Sequence, residues 1–168
     1  MESYKKIVAP LDIILVYNKT SWFHRMVAKV TRYRAGHVAI YVGDGMICEA
    51  GGKGVIRRPW KNYSSNTRIF IGRHLGLTEK QGLDMMYKCL ELEGQKYAYL
   101  QLLAIFFQQV FGISKIPDVS KRAMICSEQV AEIYKAGGIK LSGNKKPHEI
   151  TPADILNSDM LHFQEASN

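Results

Sequence analysis

Three side chains in this sequence could together carry out nucleophilic chemistry: the thiol of Cys126, the imidazole of His37 and the carboxylate of Glu49. Cys126 lies within residues 123–138, an apolar approach followed by a helical pattern that ends at two glycines. A thiol at a helix N-terminus faces unpaired backbone N–H groups and the positive end of the helix dipole, and both favour the thiolate. We therefore predict that Cys126 is a nucleophile.

An imidazole beside such a thiol would lower its pKa further and later protonate the leaving group, and a carboxylate behind the imidazole would hold its tautomer. His37 and Glu49 can fill these two roles, and the backbone N–H of Cys126 can stabilise an oxyanion. Taken from residue types alone, a structural interpretation is equally open. In it, Cys126 is a buried core cysteine, His37 a hydrogen-bonded strand residue and Glu49 a solvated hairpin residue.

Residues 35–50 should place His37 and Glu49, because they form two apolar runs joined by Gly-Asp-Gly, a pattern typical of a β-hairpin. Side chains alternate along a strand. One face of the first strand then carries Val38, Ile40 and Val42, and the other carries His37, Ala39 and Tyr41.

The register of this hairpin has two alternatives. A three-residue loop, Gly43-Asp44-Gly45, pairs Ala39 with Glu49 and sets Glu49 diagonally beside His37 on the same face. A two-residue turn at Asp44-Gly45 moves every side chain to the opposite face and separates the two residues. In the first alternative Cys48 points away from His37.

The composition describes one globular domain, spanning residues 1–168, with 46% hydrophobic residues and enough length for a sizeable core. It excludes disordered and collagen-like chains. A formal charge of +8 would attract anionic surfaces. The basic residues fall in short pairs, such as Arg57-Arg58 and Lys145-Lys146, without interleaved aromatic residues, so we expect solvated surface and no specific nucleic-acid binding.

The three cysteines, Cys48, Cys89 and Cys126, are widely spaced and lack a CxxC pair. We expect no disulfide framework, no metal site and no cofactor, with Cys89 acting as a small hydrophobic residue on a helix. The N-terminal residues lack a secretory signal pattern, so the expected location is cytoplasmic, with free thiols.

Further elements follow from hydrophobic periodicity. Strands are predicted at residues 11–17, 55–58 and 67–73, which with the hairpin make about five mostly antiparallel strands. Helices are predicted behind Ser21, from Thr78 to Gly94, through residues 126–136 and behind Thr151-Pro152. The apolar run at residues 97–111 is too short to span a bilayer and suits a buried helix or one beside an apolar pocket, with interfacial membrane contact as the alternative. The fold class predicted is α+β.

Several segments resemble the circularly permuted NlpC/P60-type papain-like cysteine hydrolase family, the YiiX/YaeF-like group. They are LDIIL at 11–15, GHVAIYV at 36–42, EA at 49–50, GV at 54–55, CSEQVA at 126–131 and TPAD at 151–154. The family has the chain order His, acidic or polar residue, Cys, which is the order of His37, Glu49 and Cys126. The resemblance implies a papain-like fold, in which a small antiparallel sheet or barrel packs against helices that include the nucleophile helix. Two positions depart from the family pattern, Leu11 in its Gly-Asp pair and Ala98 in its Tyr-Asp-Tyr-like segment.

The function predicted from the residues and the resemblance together is a cysteine hydrolase that cleaves an amide or ester bond through an acyl-enzyme on Cys126. The implied substrates are peptide amides of cell-wall type or acyl lipids. The apolar run favours a lipid-like substrate, and the basic charge favours an anionic polymer. The alternative is a catalytically silent papain-like module that holds a lipid or a partner in its groove.

Overall fold

A computed structural model of the chain describes residues 8–18, 20, 25, 36–60, 67–97 and 123–166. The helix predicted behind Ser21 and the apolar run from residue 98 to 111 lie outside the described residues. Every structural statement below concerns the described ranges.

A six-stranded antiparallel sheet forms the centre of the fold. Its strands are β1 (Ile13–Asn18), β2 (His37–Gly43), β3 (Met46–Gly51), β4 (Gly54–Pro59), β5 (Thr67–Arg73) and β8 (His162–Ala166). They lie in the order β4-β3-β2-β1-β5-β8. Two further strands of two residues each, β6 (Lys96–Tyr97) and β7 (Ala123–Met124), pair in parallel.

The central strands are buried on both faces, because apolar residues occupy both sets of alternating positions. On the face covered by helices, Leu15, Val38 and Ile40 belong to one hydrophobic cluster. On the opposite face, Val16, Ala39 and Ile47 belong to a second cluster that includes Trp60. Adjacent residues of β2 therefore contribute to different clusters, as strand alternation predicts.

Three α-helices are described: α1 (Glu79–Leu92), α2 (Cys126–Ala136) and α3 (Pro152–Leu156). Thr78 caps α1 with the predicted capping box to Gln81, and Thr151 caps α3 ahead of Pro152. Helices α1 and α2 pack on each other, and α2 also packs on β2 and β3. A short 3-10 helix (Pro147–Glu149) precedes α3.

The α+β class is confirmed, but the central sheet has six strands where about five were predicted, and β8 is the additional one. This strand pairs with β5 at the edge of the sheet. Its residues His162, Gln164 and Glu165 are exposed, and such a polar segment lacks the apolar run by which the other strands were recognised. No helix in the described ranges is long and apolar enough to cross a membrane.

Candidate active site

The turn between β2 and β3 is a two-residue turn at Asp44-Gly45. Both residues have positive φ, 51° and 70°, as a type I′ hairpin turn requires. Gly43 just before the turn also has a positive φ, of 94°. Gly43 pairs with Met46, but the next pair is Tyr41 with Ile47, so Val42 is an extra residue that forms a β-bulge.

The bulge decides which side chains share a face. A two-residue turn alone would put Glu49 on the face opposite His37, but the extra residue at Val42 shifts the register by one and restores the parity. Beyond the bulge, Ile40 lies opposite Cys48, so continuing the ladder sets Ala39 opposite Glu49. This is the pairing predicted for the three-residue loop, reached by a different turn.

Glu49 contacts His37 directly. The distance from His37 Nε2 to Glu49 Oε2 is 2.9 Å, and the two side chains are 18% and 12% exposed. The other carboxylate oxygen, Oε1, accepts a hydrogen bond from Arg58 Nε at 2.5 Å. The carboxylate therefore bridges a side chain on β2 and a side chain on β4.

Cys126 is the first residue of α2, as predicted, and is 5% exposed. Its thiol interacts with the His37 side chain and with the backbone N–H groups of Val38 and Ser127.

Two hydroxyl groups anchor α2. At its first turn, Ser127 Oγ donates to the carbonyl of Ile150 at 2.6 Å. At its last turn, Tyr134 Oη donates to the carbonyl of Leu11 at 2.8 Å. Both hydroxyl-bearing residues are fully buried, so these bonds form in an environment that excludes competing water. The first bond holds the start of α2, where Cys126 lies, and the second holds its C-terminal end.

The electrostatics of the site favour a thiolate and an imidazolium. Burial disfavours the charge on each of the three groups, but their contacts outweigh it. Hydrogen bonds and charges from Cys126 and Glu49 raise the pKa of His37 to about 10. His37 and Arg58 lower the pKa of Glu49 to about 2. His37 lowers the pKa of Cys126 below its usual range, with help from the two backbone N–H groups.

The other two cysteines lie on the helix-covered face and belong to the core. Cys48 and Cys89 are fully buried in the same hydrophobic cluster. The Sγ of Cys48 accepts a hydrogen bond from Gln129 Nε2 at 3.0 Å. Interaction with Cys48, together with burial, raises the pKa of Cys89. Cys89 is therefore the small hydrophobic residue that the sequence predicted, and Cys48 points away from His37.

Arg58 is the member of this cluster that the sequence analysis missed, since it assigned the pair Arg57-Arg58 to solvated surface. Arg57 fits that assignment, with a side chain that is 45% exposed, but the Arg58 side chain is 28% exposed and contacts Glu49. Strand alternation is the signal that distinguishes the two arginines, because it sends only one of them to the face of Glu49.

A cavity of about 280 Å³ lies elsewhere, near the C-terminal end of α2. Its lining includes Lys135, Leu141 and Ile150 and none of His37, Glu49 or Cys126. This cavity is therefore separate from the candidate site.

Comparison with known proteins supports the fold only. No family model matches the chain, and no curated protein sequence matches it. Among solved structures, the chain is similar to the crystal structure of the metalloprotein YiiX from Escherichia coli O157:H7, a DUF1105 protein. The TM-score is 0.68 at 16% sequence identity, and the match covers 92% of this chain and 95% of YiiX. The chain thus has a YiiX-like fold.

Proposed function

We propose that this protein is a cysteine hydrolase that cleaves an amide or ester bond through an acyl-enzyme on Cys126. The observation that carries the proposal is that Glu49 contacts His37 at 2.9 Å and that His37 lowers the pKa of the Cys126 thiol, which lies at the start of a helix. The arrangement combines a nucleophile, a base that interacts with it and a group that orients the base. We also propose that the protein is related to the permuted NlpC/P60-type papain-like hydrolases, because its candidate residues follow the chain order His, Glu, Cys.

The reaction begins with a proton already on His37. The Cys126 thiolate attacks the carbonyl carbon of the substrate, and the negative charge that develops on the carbonyl oxygen is stabilised by the backbone N–H of Cys126. As the tetrahedral intermediate collapses, the imidazolium gives its proton to the departing nitrogen or oxygen. The products of this half-reaction are the amine or alcohol and a thioester on Cys126.

Hydrolysis of the thioester uses the same residues. Neutral His37 removes a proton from water, the resulting hydroxide adds to the thioester carbonyl, and Cys126 leaves as thiolate. The acid product departs, and the imidazolium–thiolate pair is restored. Glu49 keeps one ring nitrogen hydrogen-bonded throughout and stabilises the imidazolium by its charge.

The substrate class is an acyl compound, either a peptide amide of cell-wall type or an acyl lipid. Both present a carbonyl carbon to the thiolate and differ only in the leaving group. Whether a nitrogen or an oxygen leaves depends on which leaving group the surroundings of His37 allow to accept its proton.

Metal binding is part of the description of YiiX, so we asked whether the residues of this chain suit a metal ion. Both carboxylate oxygens of Glu49 are engaged, Oε2 by His37 and Oε1 by Arg58. The guanidinium would repel a cation at this position. Across the described residues, no group of three or more His, Cys, Asp and Glu side chains could hold a metal ion. The arrangement does not fit a metal, and the mechanism uses these residues as catalytic groups.

The first test is alkylation of the native protein with iodoacetamide from pH 4 to pH 9, mapped by mass spectrometry. Cys126 should be modified well below neutral pH because its pKa is lowered. Cys48 and Cys89 should stay unmodified because they are fully buried in the core, although interaction with Cys89 also lowers the pKa of Cys48. Cys126→Ser is the matched control and should abolish alkylation below neutral pH. Uniform labelling of all three thiols with ordinary pH dependence would contradict the assignment.

The second test separates an enzyme from a silent binding module. Incubation with an activated acyl ester should add the mass of one acyl group to Cys126 and release the alcohol in a burst. A protein that is alkylated at acid pH but never acylated would be a binding module with a reactive thiol.

A further inference from the structure

Arg58 contacts Glu49 from β4, so a third strand of the sheet contributes a side chain to the site. In the pairing of β3 with β4, Ile47 lies opposite Arg58 and Glu49 lies opposite Ile56. Arg58 is therefore a diagonal neighbour of Glu49 on the same face of the sheet, within reach of a long side chain. His37, Glu49 and Arg58 occupy three consecutive strands, with the carboxylate in the middle.

We propose that Arg58 is a positioning residue of the candidate site, which holds the Glu49 carboxylate in the rotamer that presents Oε2 to His37. The inference rests on the proposed function, because it assigns a role within that mechanism. Arg58 contacts Glu49 and the carbonyl of Pro59, and the role proposed for it is exerted through Glu49.

Arg58 restricts the conformations open to the Glu49 side chain. A glutamate side chain has three rotatable bonds, and its two oxygens are equivalent. A carboxylate held only by His37 can swing towards solvent, since Glu49 is 12% exposed. The hydrogen bond from Arg58 Nε at 2.5 Å occupies Oε1 and leaves Oε2 as the oxygen for His37. A planar guanidinium defines the direction of this bond better than a rotatable ammonium does.

The positive charge of Arg58 has the opposite effect on His37, so the two roles can be told apart. If Arg58 acted only as a nearby charge, its removal would strengthen the field of Glu49 and make His37 bind its proton more tightly. If Arg58 positions the carboxylate, its removal weakens the contact between Glu49 and His37, and His37 binds its proton less tightly.

Arg57 provides a matched control on the same strand. It is the next residue of β4, and its Nε contacts Glu93 Oε2 at 2.9 Å instead of the site. Arg57→Ala therefore removes the same chemical group and a more exposed ion pair, without touching Glu49.

The first experiment titrates the His37 ring by NMR in a Cys126→Ala background, so that its outcome does not depend on catalysis. Arg58→Ala should lower the pKa of His37, Arg57→Ala should leave it unchanged, and Arg58→Lys should restore it only in part. An unchanged or higher His37 pKa in Arg58→Ala, or full restoration by lysine, would overturn the positioning role. Thermal melting followed by circular dichroism shows whether each variant is folded. If Arg58→Ala is unfolded, the His37 pKa in Arg58→Lys provides the test.

The second experiment measures alkylation of Cys126 at pH 5 to 6 in the protein that keeps its thiol. Arg58→Ala should slow the reaction about tenfold, the order expected for loss of one charged hydrogen bond, and Arg57→Ala should not. If Cys126 of the wild-type protein is not alkylated below neutral pH, the proposed function is wrong. The NMR titration of the His37 ring still decides the role of Arg58 in that case.

Discussion

At the scale of single residues, Glu49 links the chemistry of the site to the stability of the fold. Its side chain is largely buried, and its ionised form is stabilised by two partners, His37 and Arg58. A carboxyl whose pKa falls from 4.5 to about 2 on folding releases its proton more readily in the folded state than in the unfolded state. The folded state therefore gains stability above about pH 4.5, and this gain is lost as the pH falls towards 2.

We predict that the difference in free energy of unfolding between wild type and Glu49→Gln shrinks as the pH drops from 5 to 2. The shift in the pKa of Glu49 corresponds to roughly 3 kcal/mol over this interval. Urea denaturation at a series of pH values measures it. Glu93→Gln is the control, because it removes the exposed ion pair with Arg57, which should contribute less than about 1 kcal/mol. A constant difference across the pH range would show that Glu49 gains no stabilisation from its partners.

At the scale of elements, the hairpin of β2 and β3 determines whether His37 and Glu49 meet. Three successive residues, Gly43, Asp44 and Gly45, have positive φ, a conformation that costs little for glycine and more for other residues. The bulge at Val42 and the turn together set the register. Strain at Gly43 would therefore affect both stability and the geometry of the site.

We predict that Gly43→Ala lowers the free energy of unfolding by about 1 kcal/mol and slows alkylation of Cys126 at acid pH. The cost comes from the φ of 94°, since an added Cβ would meet only Pro10 Cγ, at an ordinary 3.8 Å. Gly51→Ala is the control in the same hairpin, because a Cβ there has nothing within 4 Å. Thermal melting measures the stability of the two variants, and mass spectrometry measures how fast Cys126 is alkylated. If Gly43→Ala and Gly51→Ala gave the same stability and the same alkylation rate, the role assigned to the turn would be wrong.

At the scale of the whole molecule, β8 closes the edge of the sheet that is farthest from the hairpin. It pairs with β5 through five residue pairs, one of which is Gly72 with Phe163. A Cβ at Gly72 would overlap the Phe163 ring. The glycine is therefore required for β8 to dock at its observed position.

We predict that Gly72→Ala destabilises the protein by roughly 1–3 kcal/mol, the usual range for overpacking, while alkylation of Cys126 in the folded protein stays unchanged. The site is separated from β5 because β1 lies between β5 and β2, the strand that carries His37. Phe163→Leu should partly restore stability in the double variant, which a double-mutant cycle measures. Additive effects of the two substitutions would mean that the ring and the glycine do not compete for space.

Local sequence was enough to predict the parts of the fold whose signals lie within a few residues. A capping box at Thr78 and a cap followed by proline at Thr151-Pro152 marked two helix starts, and the apolar approach to Cys126 marked a third. Alternating or continuous apolar runs marked β1 to β5. These signals suffice because helix caps and strand patterns are satisfied by neighbours in the chain.

Only the tertiary structure decided the contacts between elements. The sequence left two hairpin registers open, and a bulge at Val42 selected the pairing that brings Glu49 to His37, because one extra residue reverses the parity of a strand. The same ladder separated Arg58 from Arg57, and pairing with β5 made a strand of the polar segment His162–Ala166. Register and edge pairing depend on residues far apart in the chain, so no local pattern determines them.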